Sequence, residues 1–253
     1  MSDPGEHTDS LMGHLLELKQ RLTRAVAAVF VGFLAAYPFK EHIFAFIKDP
    51  MARVLPEGAS FIFTNPAEAF FTYLKVTLLT GFLLAIPVVL YQFWAFVAPG
   101  LYKGERRVFF PLLVLSVFLF LGGAAFSFFL VFPLAFEFLV GFSNAEITAL
   151  PTMKEYLGFS LTLMLAFGAS FEIPIVCMAL VRLGTVSVAS LRAKRRYVFA
   201  GGFILAALIT PPDVISQVLL GFPIWLLYEL GIILSARIPA REEEPEEADA
   251  DED

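Results

Sequence analysis

The chain has 253 residues, 58% of them hydrophobic, 15% aromatic and only 17% charged. A soluble domain of this size has no way to bury so much apolar surface, and its charged share would be nearer a quarter. The composition therefore excludes an ordinary soluble enzyme, a disordered protein and a disulfide-built secreted domain. It indicates a polytopic membrane protein whose solvent is mostly lipid.

The formal net charge of −6 is misleading taken whole. Residues 241–253 carry nine acids and one base, which leaves 15 acidic and 17 basic residues of the 24 and 18 in the chain to residues 1–240. The body is thus mildly basic. The tail has no apolar periodicity and is expected to be a disordered, acidic, cytoplasmic extension of a single transmembrane domain spanning 1–240. The N-terminus is acidic where a signal peptide begins basic, so the first span is expected to stay in the mature protein.

A bilayer core of about 30 Å needs about 20 helical residues. In chain order, charge-poor runs predict an all-α fold of six transmembrane helices, approximately 22–39, 73–98, 107–136, 153–181, 196–209 and 213–234. Before the first lies an amphipathic segment, Leu11–Arg24, with a leucine stripe and a polar stripe of His14, Glu17, Arg21 and Arg24. The loop 40–72 is Phe-rich, carries three prolines and is expected to hold short interfacial helices. Pro99 and Gly100 are expected to end helix 2. Pro87, Pro133 and Pro174 are expected to bend helices 2, 3 and 4. Helices 5 and 6 are read as short, because Tyr197–Ile209 spans only about 20 Å before Thr210-Pro211-Pro212-Asp213 turns the chain.

Six spans put both termini on one side. Of the 18 basic residues, 13 lie on that side, including Lys103, Arg106 and Arg107 between helices 2 and 3 and Arg192 to Arg196 between helices 4 and 5. The positive-inside rule then makes it the cytoplasm.

Few residues are fit for chemistry. Glu17 and Glu105 both border the membrane on the cytoplasmic face. By spacing alone Glu17 pairs with Arg21 at i+4, and Glu105 favours the dipole at the start of helix 3. Two carboxylates on a rigid rim also suit a ligand with paired guanidinium groups, which bind carboxylates through two parallel hydrogen bonds. Glu172 lies about 15 Å from the cytoplasmic end of helix 4, at mid-membrane, where an acid is a functional candidate by default. Its plainer reading is a side chain that satisfies the carbonyl freed by Pro174. Thr210-Pro211-Pro212-Asp213 fits a capping box that opens helix 6, and Thr210, Asp213 and Gln217 are expected to share one polar patch able to receive another helix. Nucleotide, metalloprotease and serine-hydrolase motifs are absent from the sequence, so no enzyme, cofactor or metal is expected. Nor is a nucleic-acid partner.

Four motifs carry a family resemblance. His14-Leu15-Leu16-Glu17-Leu18-Lys19-Gln20-Arg21-Leu22 resembles the N-terminal signature of the TatC family, the polytopic receptor subunits of the twin-arginine (Sec-independent) protein translocase. Tyr91 to Tyr102, continuing into Glu105-Arg106-Arg107, resembles the family's first cytoplasmic loop. Phe167-Gly168 with Phe171-Glu172-Ile173-Pro174 resembles its fourth-helix motif, and Thr210-Pro211-Pro212-Asp213 with Ser216-Gln217 its helix 5–6 turn. The resemblance implies a concave, glove-like bundle in the bacterial inner membrane. It implies a receptor for signal peptides with two consecutive arginines, read by Glu17 and Glu105 with Phe96, Lys19 and Arg21. Lys19 stands where the family usually has Arg. Glu172, Thr210 and Gln217 are implied in docking the single-span TatA and TatB helices, while Asp213, Pro174 and Pro87 are read from the residues themselves as structural cap and kinks. Further copies of the chain are implied in the complex, and transport of folded proteins is driven by the protonmotive force. The alternative from the residues alone is a proton-coupled small-solute transporter with Glu172 as its proton carrier.

Overall fold

The computed structural model describes residues 4–55, 61–62, 64–101, 106–141, 151–210 and 213–237. The acidic tail 241–253 lies outside them. Among the described residues there is no strand, only one isolated parallel bridge between Ile62 and Thr152. The first helix, α1 (Pro4–Ala36), joins the amphipathic segment to span 1 without a break. It ends at Ala36, just before the turn that contains Pro38. A 3₁₀ turn at Tyr37–Phe39 leads into α2 (Lys40–Ala52), the short helix expected in the outer loop.

The next element, α3 (Glu68–Leu101), is one helix of 34 residues. It begins earlier than expected and passes through Pro87 without interruption. It also runs past Pro99 and Gly100, so these two residues do not terminate it. Helix 3 of the sequence reading is three pieces: α4 (Arg106–Phe126), a π-helical turn at Ser127–Val131, and α5 (Phe132–Val140). Pro133 has no N–H to give the preceding turn, and the wider turn just before it absorbs that missing bond. Helix 4 is likewise divided, into α6 (Met153–Phe171) and α7 (Ile173–Arg182), with Glu172 at the junction. A short helix, α8 (Val188–Ala193), precedes α9 (Arg195–Ile209) and α10 (Val214–Ser235). At 15 residues α9 is short, but α10 has 22, an ordinary span. Shortness therefore belongs to α9 alone.

Among the described residues, five segments are long and apolar enough to cross a membrane: Met12–Ala52, Glu68–Val97, Phe109–Val140, Met153–Arg182 and Val214–Ser235. Little of the first is buried inside the protein. Leu15, Leu22, Val26, Phe30 and Val31 of α1 are all exposed, as lipid-facing side chains are. What holds α1 is its crossing with α3. A Cβ on Gly81 would stand 2.6 Å from the Cα of Phe33 and 2.8 Å from the carbonyl carbon of Gly32. Only two glycines let the backbones approach that closely, the small-residue packing that replaces the hydrophobic effect in lipid.

The largest core cluster joins α2, α3, α4, α5, α6 and α10 through Ile47, Val76, Ala124, Phe132, Phe167 and Leu220. Edge-to-face contacts run from Phe128 to Phe132 to Phe136. A second cluster packs α3, α4 and α7 around Trp94 and Ile175, and a third packs α7, α8 and α10 around Cys177 and Tyr228. A strap before α3 is tied to α6 by Ile62 N–H on the Pro151 carbonyl and Met153 N–H on the Ile62 carbonyl.

Candidate functional site

The polar groups gather in three regions. The first is the rim at the N-terminal half of α1. Glu17 Oε1 accepts from both Arg21 Nη2, at 2.6 Å, and Arg21 Nε, at 2.8 Å. Glu17 is about one-third exposed and Arg21 about one-fifth. Such an i,i+4 pair contributes only about 0.3–0.5 kcal/mol, so the carboxylate is held but not locked. One turn before Glu17, the His14 ring meets the Phe96 ring with centroids 5.7 Å apart and planes at 52°. The crossing of α1 and α3 thus brings the two motifs face to face. Lys19 is exposed, and its backbone carbonyl accepts from the Thr23 hydroxyl at 2.8 Å. A shallow cleft along α1 is lined by Leu16, Lys19, Gln20, Thr23 and Arg24. Glu105, in the segment 102–105, lies outside the described residues.

The second region is the break between α6 and α7. Glu172 N–H turns back to the Ala169 carbonyl at 3.1 Å, a tight closing turn, and the Glu172 carbonyl receives Val176 N–H at 2.9 Å. Pro174 sits in the first turn of α7, where its missing N–H is harmless. The carboxyl does not satisfy a kink carbonyl. Its Oε2 accepts from the Ser116 hydroxyl on α4, and Ser116 Oγ in turn accepts from the indole N–H of Trp94 on α3, at 2.9 Å. Glu172 Oε1 is buried without a hydrogen-bond partner among the described residues. Three helices therefore converge on one carboxyl group. Trp94 and Ser116 had no role in the sequence reading. Ser116 had left a signal, as the one hydroxyl in the apolar run Val108–Leu121.

The third region is the α9–α10 hairpin. Asp213 is the N-cap of α10, and its Oδ1 accepts Ser216 N–H at 2.6 Å. Thr210 is not the opening residue of a capping box. It closes α9, with its hydroxyl on the Ala206 carbonyl at 2.9 Å. Gln217 Nε2 reaches across to the Phe203 carbonyl at 3.0 Å. The side chains expected to share one patch, those of Thr210, Asp213 and Gln217, thus make three separate ties, and no side-chain hydrogen bond joins them to one another or to Glu172 among the described residues. Glu229 pairs with Arg195 at 2.7 Å and binds the two arms of the hairpin together.

The fold defines a multi-pass helical membrane protein whose polar groups tie its helices together. Its family follows from comparison. The family model described as Sec-independent protein translocase protein (TatC) matches residues 13–223, and the chain belongs to that family. A protein of that name from Desulforapulum autotrophicum is 48% identical over 239 residues, covering 94% of this chain and 88% of its own. The one from Escherichia coli (strain K12) is 44% identical over 230 residues, with 91% and 89% covered. A crystal structure of a twin-arginine translocase receptor TatC superposes with a TM-score of 0.80 at 40% identity, covering 88% of this chain and 98% of that one. The chain is accordingly a membrane component of the Sec-independent translocase, a non-enzymatic family.

Proposed function

We propose that the chain is the receptor and scaffold of the twin-arginine translocase in the bacterial inner membrane, with both termini in the cytoplasm. Its rim acids, Glu17 and Glu105, take the paired arginines of a signal peptide. Phe96 supplies an apolar wall beside them, and Lys19 and Arg21 tune the local charge. Glu172, Thr210 and Gln217 dock the single-span TatA and TatB helices, and the protonmotive force drives passage of the folded cargo.

The observation that carries the receptor reading is the ring contact between His14 and Phe96 one turn from Glu17. It joins an acid, an aromatic face and a solvent-open helix in one small area. Arg21 already rests on Glu17 as an intramolecular guanidinium, which models the contact an incoming arginine makes. The 13 basic residues on the loops of one side support the orientation.

The test is binding of a labelled signal peptide to the protein in nanodiscs, comparing an Arg-Arg with a Lys-Lys peptide. The Arg-Arg peptide is expected to bind more tightly, and Glu17→Ala and Glu105→Ala to remove the preference. Equal binding of both peptides, indifferent to both substitutions, overturns the reading.

A further inference from the structure

At the opposite end of the bundle from the rim, a cavity of about 520 Å³ opens between the strap, the first two turns of α3 and the start of α6. Two lysines line it, Lys75 and Lys154, with Thr64, Asn65, Phe71 and Thr72. Glu68 is there too, but its carboxylate is engaged. Its Oε2 accepts the N–H and the hydroxyl of Thr64, both at 2.9 Å, and its Oε1 accepts Lys154 N–H at 2.8 Å. Those three donors tie the strap to α3 and α6 and occupy both oxygens of the acid.

The two ammonium groups are not engaged by any described residue. Neither Lys75 nor Lys154 makes an ion pair or a side-chain hydrogen bond with a described residue, and both side chains are exposed. Asn65 spends its Oδ1 on Ala67 N–H at 2.9 Å and keeps its amide N–H groups. Lys75 lies seven residues into α3, about 10 Å along the helix and inside a segment long and apolar enough to span. A cation at that depth needs a counter-charge, and its flexible stem lets the head rise toward the membrane surface. Phe70, Phe71 and Leu78 are exposed on the same stretch of α3, an aromatic and aliphatic wall of the kind that meets acyl chains at the interface.

We infer that this cavity binds the phosphate headgroup of an anionic phospholipid from the leaflet opposite the termini. The lysines receive the phosphodiester, Asn65 donates to the headgroup, and the exposed apolar wall of α3 carries the chains. A zwitterionic headgroup adds a positive ammonium group, quaternary in choline and primary in ethanolamine, beside two lysines and is disfavoured. A free phosphate shares the charge chemistry but gains nothing from the apolar wall. The site stands apart from the rim and from Glu172, so its failure leaves the receptor reading untouched.

The test is native mass spectrometry of the full chain released from nanodiscs of phosphatidylcholine with or without phosphatidylglycerol, with retained lipid counted. Retention of phosphatidylglycerol over phosphatidylcholine is expected. Lys75→Gln with Lys154→Gln is expected to reduce that retention about tenfold, since each lysine near a charged lipid contributes a severalfold gain. Lys75→Arg with Lys154→Arg, which keeps both charges, should retain it. Equal retention of the two lipids by the unsubstituted protein overturns the inference, whether or not the glutamine variant folds. Full retention by a folded glutamine variant also overturns it. Displacement of the lipid by inorganic phosphate at comparable concentration reassigns the site to a free anion and removes the lipid.

Discussion

Arg21 grips a single oxygen of Glu17, through Nε and Nη2 together, and leaves Oε2 without a partner among the described residues. The pair is a holding position on an open helix face, not a buried lock. On the proposed reading an incoming arginine takes the free oxygen or displaces Arg21. Glu17→Ala is then expected to weaken binding of an Arg-Arg signal peptide tenfold or more, the scale of a charge-assisted interfacial pair. Thermal stability should move by no more than about 0.5 kcal/mol, because only an exposed i,i+4 pair is lost. Fluorescence anisotropy and a melting curve on the same sample separate the two effects.

Ser116 is the hub between Trp94 and Glu172. Ser116→Ala removes one acceptor and one donor and leaves a buried indole N–H unpaired. The expected loss is about 1–3 kcal/mol of stability, read by thermal unfolding in detergent. Ser116→Thr keeps the hydroxyl and should lose less. If Glu172 docks a partner helix, Ser116→Ala should also lower site-specific crosslinking from α7 to that helix, while signal-peptide binding at the rim stays unchanged.

The α1–α3 crossing depends on two glycines. Gly81→Ala forces a methyl group into the backbone of Gly32 and Phe33, which has no flexible side chain to yield. A loss of about 1–3 kcal/mol is expected, as for other overpacked contacts. Gly158→Ala on α6 is the control, since nothing lies within 4 Å of a Cβ built there. Its melting temperature should be unchanged or slightly raised.

The hairpin turn discriminates between two readings of one motif. With Asp213 as the cap, Asp213→Ala should lower stability by about 1 kcal/mol, and Asp213→Asn should keep most of it. Thr210→Val removes only a hydroxyl bonded within α9 and should have the smaller effect. The reverse order, measured by thermal melts of the three variants, would return the cap to Thr210.

Much of this protein was legible one residue at a time. Apolar runs of span length, basic residues gathered on every second loop and an acid at mid-membrane all follow from local composition, because lipid imposes the same solvent on every helix. The break at Glu172 followed from Pro174, a purely local constraint on the backbone. The limits were equally local. A capping box reads the same whether Thr210 or Asp213 is the cap, and only the backbone angles of the turn decide. Helix α3 continues beyond Gly100 although Pro99 and Gly100 locally favour a stop.

By itself, then, the sequence determined a helical membrane bundle, its approximate spans, its charge asymmetry and the residues worth watching. Tertiary structure alone decided which of them meet. Trp94 lies on α3, Ser116 on α4 and Glu172 at the α6–α7 junction, 22 positions apart for the first pair and 56 for the second. No periodicity within a single helix encodes which face of one turns toward another. In lipid that choice rests on close backbone approach at small residues such as Gly32 and Gly81 and on a few hydrogen bonds. Those are relations between segments, and they exist only once the segments are packed.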